Sequence, residues 1–277
     1  ADSKILEVLQ KTVDDFAKDK NTRKNPSLRL KIYESVSKIL LQKNDFASLE
    51  KYLMKTYLEF VDDRLFSRNN HDTKLQMLTY LANSRFKLGM YRQSLESAEI
   101  LHSAMKEFDK ALFDKYLAYY YNVLVINYSQ IQITKAIATL NEAKDNPVIK
   151  KLPVYDVFIH LNLAVTHFDI GEYKTSLKHL LKLTMGERFT ALDESFRYKV
   201  AIVELMIRYE TGDTEYVLHK WAQIRKEFSK LTKDASLKRE REILDLIPVL
   251  AETPNLRFDA ALRKRIQKFL KTQSDSS

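Results

Sequence analysis

The chain of 277 residues is 45% hydrophobic and 30% charged, which supplies enough apolar surface for a core and carries no signature of disorder. With no cysteine, disulfide frameworks, thiolate-bound zinc, iron–sulfur clusters and thiol nucleophiles are excluded. Four glycines and five prolines are too few to punctuate a many-stranded fold, and a net charge of +9 leaves acidic partners open.

No apolar run approaches the ~18–20 residues needed to cross a bilayer, and the first twenty residues are charged and amphipathic, unlike a secretory signal. The expectation is a soluble, cytoplasmic protein. A chain that opens on Ala1 rather than methionine also reads as a processed product or a piece of a longer protein.

In chain order, Ser3–Lys18 reads as an amphipathic helix through Ile5, Leu9, Val13 and Phe16. A polar, basic stretch then leads to Pro26, so residues 1–25 are expected to form an N-terminal cap and linker. Leu28, Ile32, Val36, Ile39 and Leu40 continue at helical spacing as far as Asn44-Asp45-Phe46, where Asn44 can take the left-handed conformation of a helix stop. Three of the four glycines mark similar stops: Leu88-Gly89-Met90-Tyr91, Ile170-Gly171-Glu172-Tyr173 and Thr211-Gly212-Asp213-Thr214.

Gly171 and Gly212 are 41 residues apart, and Gly89 and Gly171 are 82 apart, twice that interval. A further turn is therefore expected near residue 130, at the polar break Tyr128-Ser129-Gln130-Ile131-Gln132. A fixed period between about 20 and 50 residues marks stacked helical hairpins. Around Gly171 run two apolar stripes: Val154, Val157, Phe158, Leu161, Ala164, Val165 and Phe168 before it, then Tyr173, Leu177, Leu180, Leu181 and Met185.

Residues 26–229 are thus expected to be hairpin repeats, and 230–277 a C-terminal cap with a tail. The cap comprises an amphipathic segment Ala235–Leu250, in which Pro248 ends or kinks the helix, then the break Thr253-Pro254-Asn255. A last helix follows with Ala261, Leu262, Ile266, Phe269 and Leu270, and Thr272–Ser277 is expected to be disordered.

The residues at the turns resemble the tetratricopeptide repeat. Leu81-Ala82, Gly89, Tyr91 and Ser94 match its pattern in one unit, Leu163-Ala164, Gly171, Tyr173 and Ser176 in another, and Pro147 falls near the repeat-ending proline. The period of about 41 exceeds the 34 of that family, by roughly one turn per helix, and falls within the ~40–47 of HEAT and armadillo repeats, whose packing stays open for the irregular units; the turn residues favour the tetratricopeptide pattern. The unit at Gln130 lacks glycine, and Thr214 stands where an aromatic is usual.

The resemblance implies an all-α, helix-turn-helix solenoid wound as a right-handed superhelix, with terminal capping helices. It further implies that the first helix of each unit lines a concave groove. Aligned on the glycines, those positions are Thr79, Asn83, Phe86 and Lys87, then Tyr121, Asn122 and Tyr128, then Phe158, Asn162 and Asp169. This mixture lacks the lysine-and-asparagine clamp with which some family members hold a C-terminal carboxylate. Asn side chains in a groove suit capture of an extended backbone, because each carries two donors and an acceptor.

Chemistry-bearing clusters are scarce. The six histidines are scattered, and His160 and His167, at i and i+7, lie about 10 Å apart along a helix, too far to share a metal unaided. No phosphate loop, nucleophile elbow or zinc-protease helix occurs, so neither enzymatic activity nor a metal or cofactor is expected. Tyr116, Tyr119, Tyr120, Tyr121 and Tyr128 cannot all enter one core. Two or three are expected to pack with bonded hydroxyls, leaving the rest as contact area for a partner.

Positive charge concentrates late in the chain, with 14 Lys/Arg against 8 Asp/Glu from residue 219 onward. Arg225, Lys226, Lys230, Arg239, Arg263 and Arg265 make a candidate basic patch, although interleaved acids also fit an ordinary solvated face. The leading expectation is a protein–protein scaffold that receives a peptide or helix in its groove. The alternative is a nucleic-acid-binding helical repeat, with the basic end on phosphates and tyrosines stacked on bases. An enzyme whose site is assembled from distant residues is a third class.

Overall fold

The computed structural model describes Lys11, residues 25–253 and residues 259–274. All regular elements among them are helical, and the chain divides into two compact units at the Leu152–Pro153 junction. Of the expected N-terminal helix only Lys11 is described, and Pro254 and Asn255 also lie outside the described residues.

The first unit contains α1 (Pro26–Gln42), α2 (Phe46–Asp62), α3 (His71–Lys87), α4 (Tyr91–Met105), α5 (Phe113–Ile131), α6 (Ile133–Asp145) and the single turn α7 (Pro147–Lys150). Helices adjacent in sequence pack as pairs, α1 on α2, α3 on α4 and α5 on α6, and each pair also touches the next. One apolar cluster joins α1, α2 and α3 through Tyr33, Leu49, Leu53, Phe60, Met77 and Leu81. Another joins α3, α4 and α5 through Ala82, Ala98, Val123 and Leu124.

In the second unit a continuous helix spans 155–169; its first part, Val157–Leu161, is a wider π turn and the remainder is α8 (Asn162–Asp169). Then come α9 (Tyr173–Thr184), α10 (Glu194–Glu210), α11 (Thr214–Glu227), α12 (Lys238–Glu252) and α13 (Ala260–Ser274). Ala164, Leu180, Leu183, Val200 and Ile207 unite α8, α9 and α10. Tyr198, Leu205, Val217, Ile224, Leu244 and Ile247 unite α10, α11 and α12.

The sequence stops explain the hairpins. Gly89, Gly171 and Gly212 have φ of 71°, 77° and 78°, and Asn44 has φ of 53°. At Gly89 the N–H donates to Phe86 O at 2.9 Å, while Met90 N donates to Arg85 O at 2.9 Å. Those two bonds satisfy carbonyls that a helix end leaves open and turn the chain back on itself. Gly171, Gly212 and Asn44 repeat the same pair of bonds. New helices start on side-chain caps: Asn25, Asp45, Asp193 and Asp213 each accept an N–H three residues on.

Other expectations are sharpened or corrected. The turn expected near residue 130 is found at Gln132, the last residue of the named break, because residues 128–131 complete the last turn of α5; Gln132 is extended (φ −158°), so no glycine is required. Arg64 (φ 52°) ends α2 by the same paired bonds as the glycines. Pro248 does not end α12: the helix runs on through it to Glu252. Residues 272–274, assigned to a disordered tail, continue α13, and 275–277 lie outside the described residues.

The stripe along 154–168 holds in part. Val157, Leu161, Ala164 and Phe168 join the core, whereas Val154 and Val165 are exposed and Ile159 and Leu163 are buried instead. A π turn accommodates one extra residue, which rotates the preceding face out of register.

Candidate protein-interaction surface

Within the first unit the first helices α3 and α5 lie side by side. Tyr116 Oη donates to Asp72 Oδ1 at 2.9 Å, and Lys115 Nζ reaches the same oxygen at 2.6 Å. Burial opposes ionisation of Asp72, but the bonds from Lys115 and Tyr116 prevail and hold its carboxyl below the usual range. Burial, reinforced by Asp72, raises the Tyr116 phenol above its ordinary value.

On this pair the seven expected groove residues separate. Thr79 is 5% exposed and its Oγ1 donates to Leu75 O at 2.8 Å, so it is sealed within the helix pair. Tyr121 is also 5% exposed and donates to Glu142 Oε1 at 2.8 Å. Burial first, and then Glu142, push its pKa up to about 12. Neither offers a contact to a partner.

Asn83, Phe86, Asn122 and Tyr128 are half-buried, and Lys87 is exposed. The Phe86 ring lies 5.8 Å from that of Tyr91, and Lys135 Nζ stands 5.5 Å from the Tyr128 ring centre. The amides of Asn83 and Asn122 have no hydrogen-bond partner among the described residues.

In the second unit Phe158 is half-buried and Asp169 exposed. Asn162 Nδ2, at the start of α8, donates back to Phe158 O in the π turn at 2.6 Å, which occupies one of its donors. These three positions belong to a different unit from the other seven.

The tyrosine run resolves as two buried, two half-buried and one exposed. Tyr116 and Tyr121 are inside, Tyr120 stacks on His102 at 4.5 Å, Tyr128 is half-buried, and Tyr119 is 52% exposed.

His160 and His167 do not stand apart: His179 of α9 fits between them, with ring centres 5.5 and 5.6 Å away. His160 Nδ1 and His179 Nδ1 are 3.3 Å apart, and His167 Nδ1 lies 2.8 Å from Glu172 Oε2. Sequence spacing on one helix could not disclose a third ring arriving from another. Among the described residues no group of three His, Cys, Asp or Glu is placed to hold a metal ion.

The basic patch is uneven. Arg225 pairs with Asp245 at 3.1 Å and lies over the Trp221 ring at 5.2 Å. Lys226, Lys230, Arg239, Arg263 and Arg265 are exposed. No described helix is long and apolar enough to cross a membrane. Compared with family models, curated proteins and solved structures, the chain matches none.

Proposed function

We propose that this chain is a protein-binding helical-repeat module whose first helices present a wall to a peptide or helix of another protein, or of a longer chain to which it belongs. The observation that carries this reading is the pair of half-buried, unpartnered amides, Asn83 on α3 and Asn122 on α5, on helices fastened together through Asp72. A half-buried amide without a partner gains when a ligand supplies one, and an extended peptide backbone offers both donors and acceptors. Phe86 and Tyr128 add apolar area on the same helices.

The tetratricopeptide resemblance belongs to the same reading. Its small residues make the same contact in two hairpins: Ser94 Oγ donates to Ala82 O at 2.7 Å and Ser176 Oγ to Ala164 O at 2.6 Å. Repetition of the units into a right-handed solenoid, and a cytoplasmic setting, are part of the proposal.

The test compares the chain with its Asn83→Ala/Asn122→Ala variant in capturing partners, followed by calorimetry with the purified partner. Loss of about tenfold or more in affinity at unchanged helix content is expected, as for two peptide-facing hydrogen bonds. Undiminished binding by the variant would contradict the wall. Tyr121 is unsuited to this test, because truncating a buried, hydrogen-bonded ring disturbs the fold itself. Affinity that collapses with moderate salt would favour the nucleic-acid alternative.

A further inference from the structure

The apolar stripe expected along α9 divides into two faces. Leu180 and Leu183 are buried in the second unit, whereas Leu177 and Leu181 are half-buried and Met185, just past the helix end, is 82% exposed. Lys174, Lys178 and Lys182 run beside that second row at i, i+4 and i+8, all exposed. The six side chains line an open cleft of about 430 Å³ whose floor is apolar and whose flank is cationic.

Two features mark this face as unfinished. Like charges at i, i+4 destabilise a helix, yet none of the three ammonium groups has a carboxylate partner among the described residues. Met185, flexible and polarizable, stands in the open where it contributes nothing to the core.

We propose that this face of α9 docks an amphipathic helix of a partner protein whose apolar row is flanked by Asp or Glu. The proposal rests on the protein-binding reading and adds a second surface with a stated partner chemistry. From Lys174 to Lys182 the row spans about 12 Å, two helical turns, which matches two or three carboxylates at the same spacing on a facing helix. The recessed floor between lysine stems receives an apolar side chain. It is poorly shaped for inserting into a bilayer, since Leu177 already packs into its own core. Nucleic acid is disfavoured by the same floor: no aromatic lines the cleft to stack on a base, and Leu and Met offer nothing to a phosphate.

The experiment uses the full chain and four probes in fluorescence titrations: a designed helical peptide with a Leu row flanked by Glu, the same peptide with Gln for Glu, phosphatidylserine-containing vesicles, and a single-stranded oligonucleotide. Binding of the Glu peptide is expected, weakened about tenfold by Lys174→Glu/Lys178→Glu/Lys182→Glu, as for three exposed ion pairs. Met185→Asp should weaken it similarly, and the Gln peptide should bind about tenfold less tightly. These substitutions fall on exposed side chains, so helix content and melting should stay unchanged. The Asn83→Ala/Asn122→Ala variant should bind the Glu peptide as the parent does, which separates this surface from the α3–α5 wall. No binding of the Glu peptide, binding indifferent to the charge reversals, or tighter binding of vesicles or oligonucleotide would overturn the proposal.

Discussion

Ser94 and Ser176 occupy the same place in two hairpins, but only Ser94 has a second partner. Asn127 Nδ2 donates to Ser94 Oγ at 2.8 Å inside the fully buried core of the first unit. Ser176→Ala removes one hydrogen bond and should cost about 1 kcal/mol, whereas Ser94→Ala also leaves a buried amide donor short of a partner and should cost about 2–3 kcal/mol. Urea denaturation of the two variants measures the difference, and equal losses would contradict the network.

Wholly or half-buried tyrosines set a second expectation. Tyr52, Tyr120, Tyr121 and Tyr216 are each pushed up to about 12, in every case first by burial. An unfolded chain releases these protons near pH 10, so the stability they contribute is complete below about pH 10 and lost as pH rises toward 12. Denaturation midpoints should therefore fall steeply across that window, and a flat profile would contradict the burial. At this scale the sequence announced that some tyrosines must turn inward but not which. Alignment on the glycines counts residues along a helix without locating the helix's own core face, and that is why Thr79 and Tyr121 entered the groove set.

At the scale of elements, the helix stops are where the residues speak most clearly. A Cβ at Gly89 would meet nothing within 4 Å, yet its φ of 71° strains any other residue. Gly89→Ala should therefore destabilise by about 1–2 kcal/mol through the backbone alone. Arg64 makes the same turn with a side chain, so Arg64→Gly should stabilise by up to about 1 kcal/mol. Thermal melts of both variants check the pair, and shifts of the same sign would contradict the shared geometry.

This contrast also explains what could be read in advance. Gly89, Gly171, Gly212 and Asn44 signal the left-handed stop chemically, while Arg64 carries no such signal and Gln132 needs none because its backbone is extended. The π turn at Val157–Leu161 left no local mark either. It emerges from the competing demands of two buried faces, with Ile159 and Leu163 on one side and Val157, Leu161 and Phe168 on another.

For the whole molecule, the apolar clusters described each serve three successive helices, so the contacts that stabilise each unit are close in sequence. Such local contacts favour rapid folding. The division at Leu152–Pro153 falls inside the 26–229 stretch over which the turns recur. The candidate wall was legible only in part: of the groove positions named in the first unit, Thr79 and Tyr121 are buried, Asn83, Phe86, Asn122 and Tyr128 are half-buried and Lys87 is exposed, and the cationic face of α9 was not foreseen.

Hydrogen exchange on the complex with a captured partner tests the central claim directly. Binding at the wall should slow amides of α3, residues 71–87, and α5, residues 113–131, at the Asn83 and Asn122 turns. Unaltered exchange in both helices while the partner is bound would contradict it.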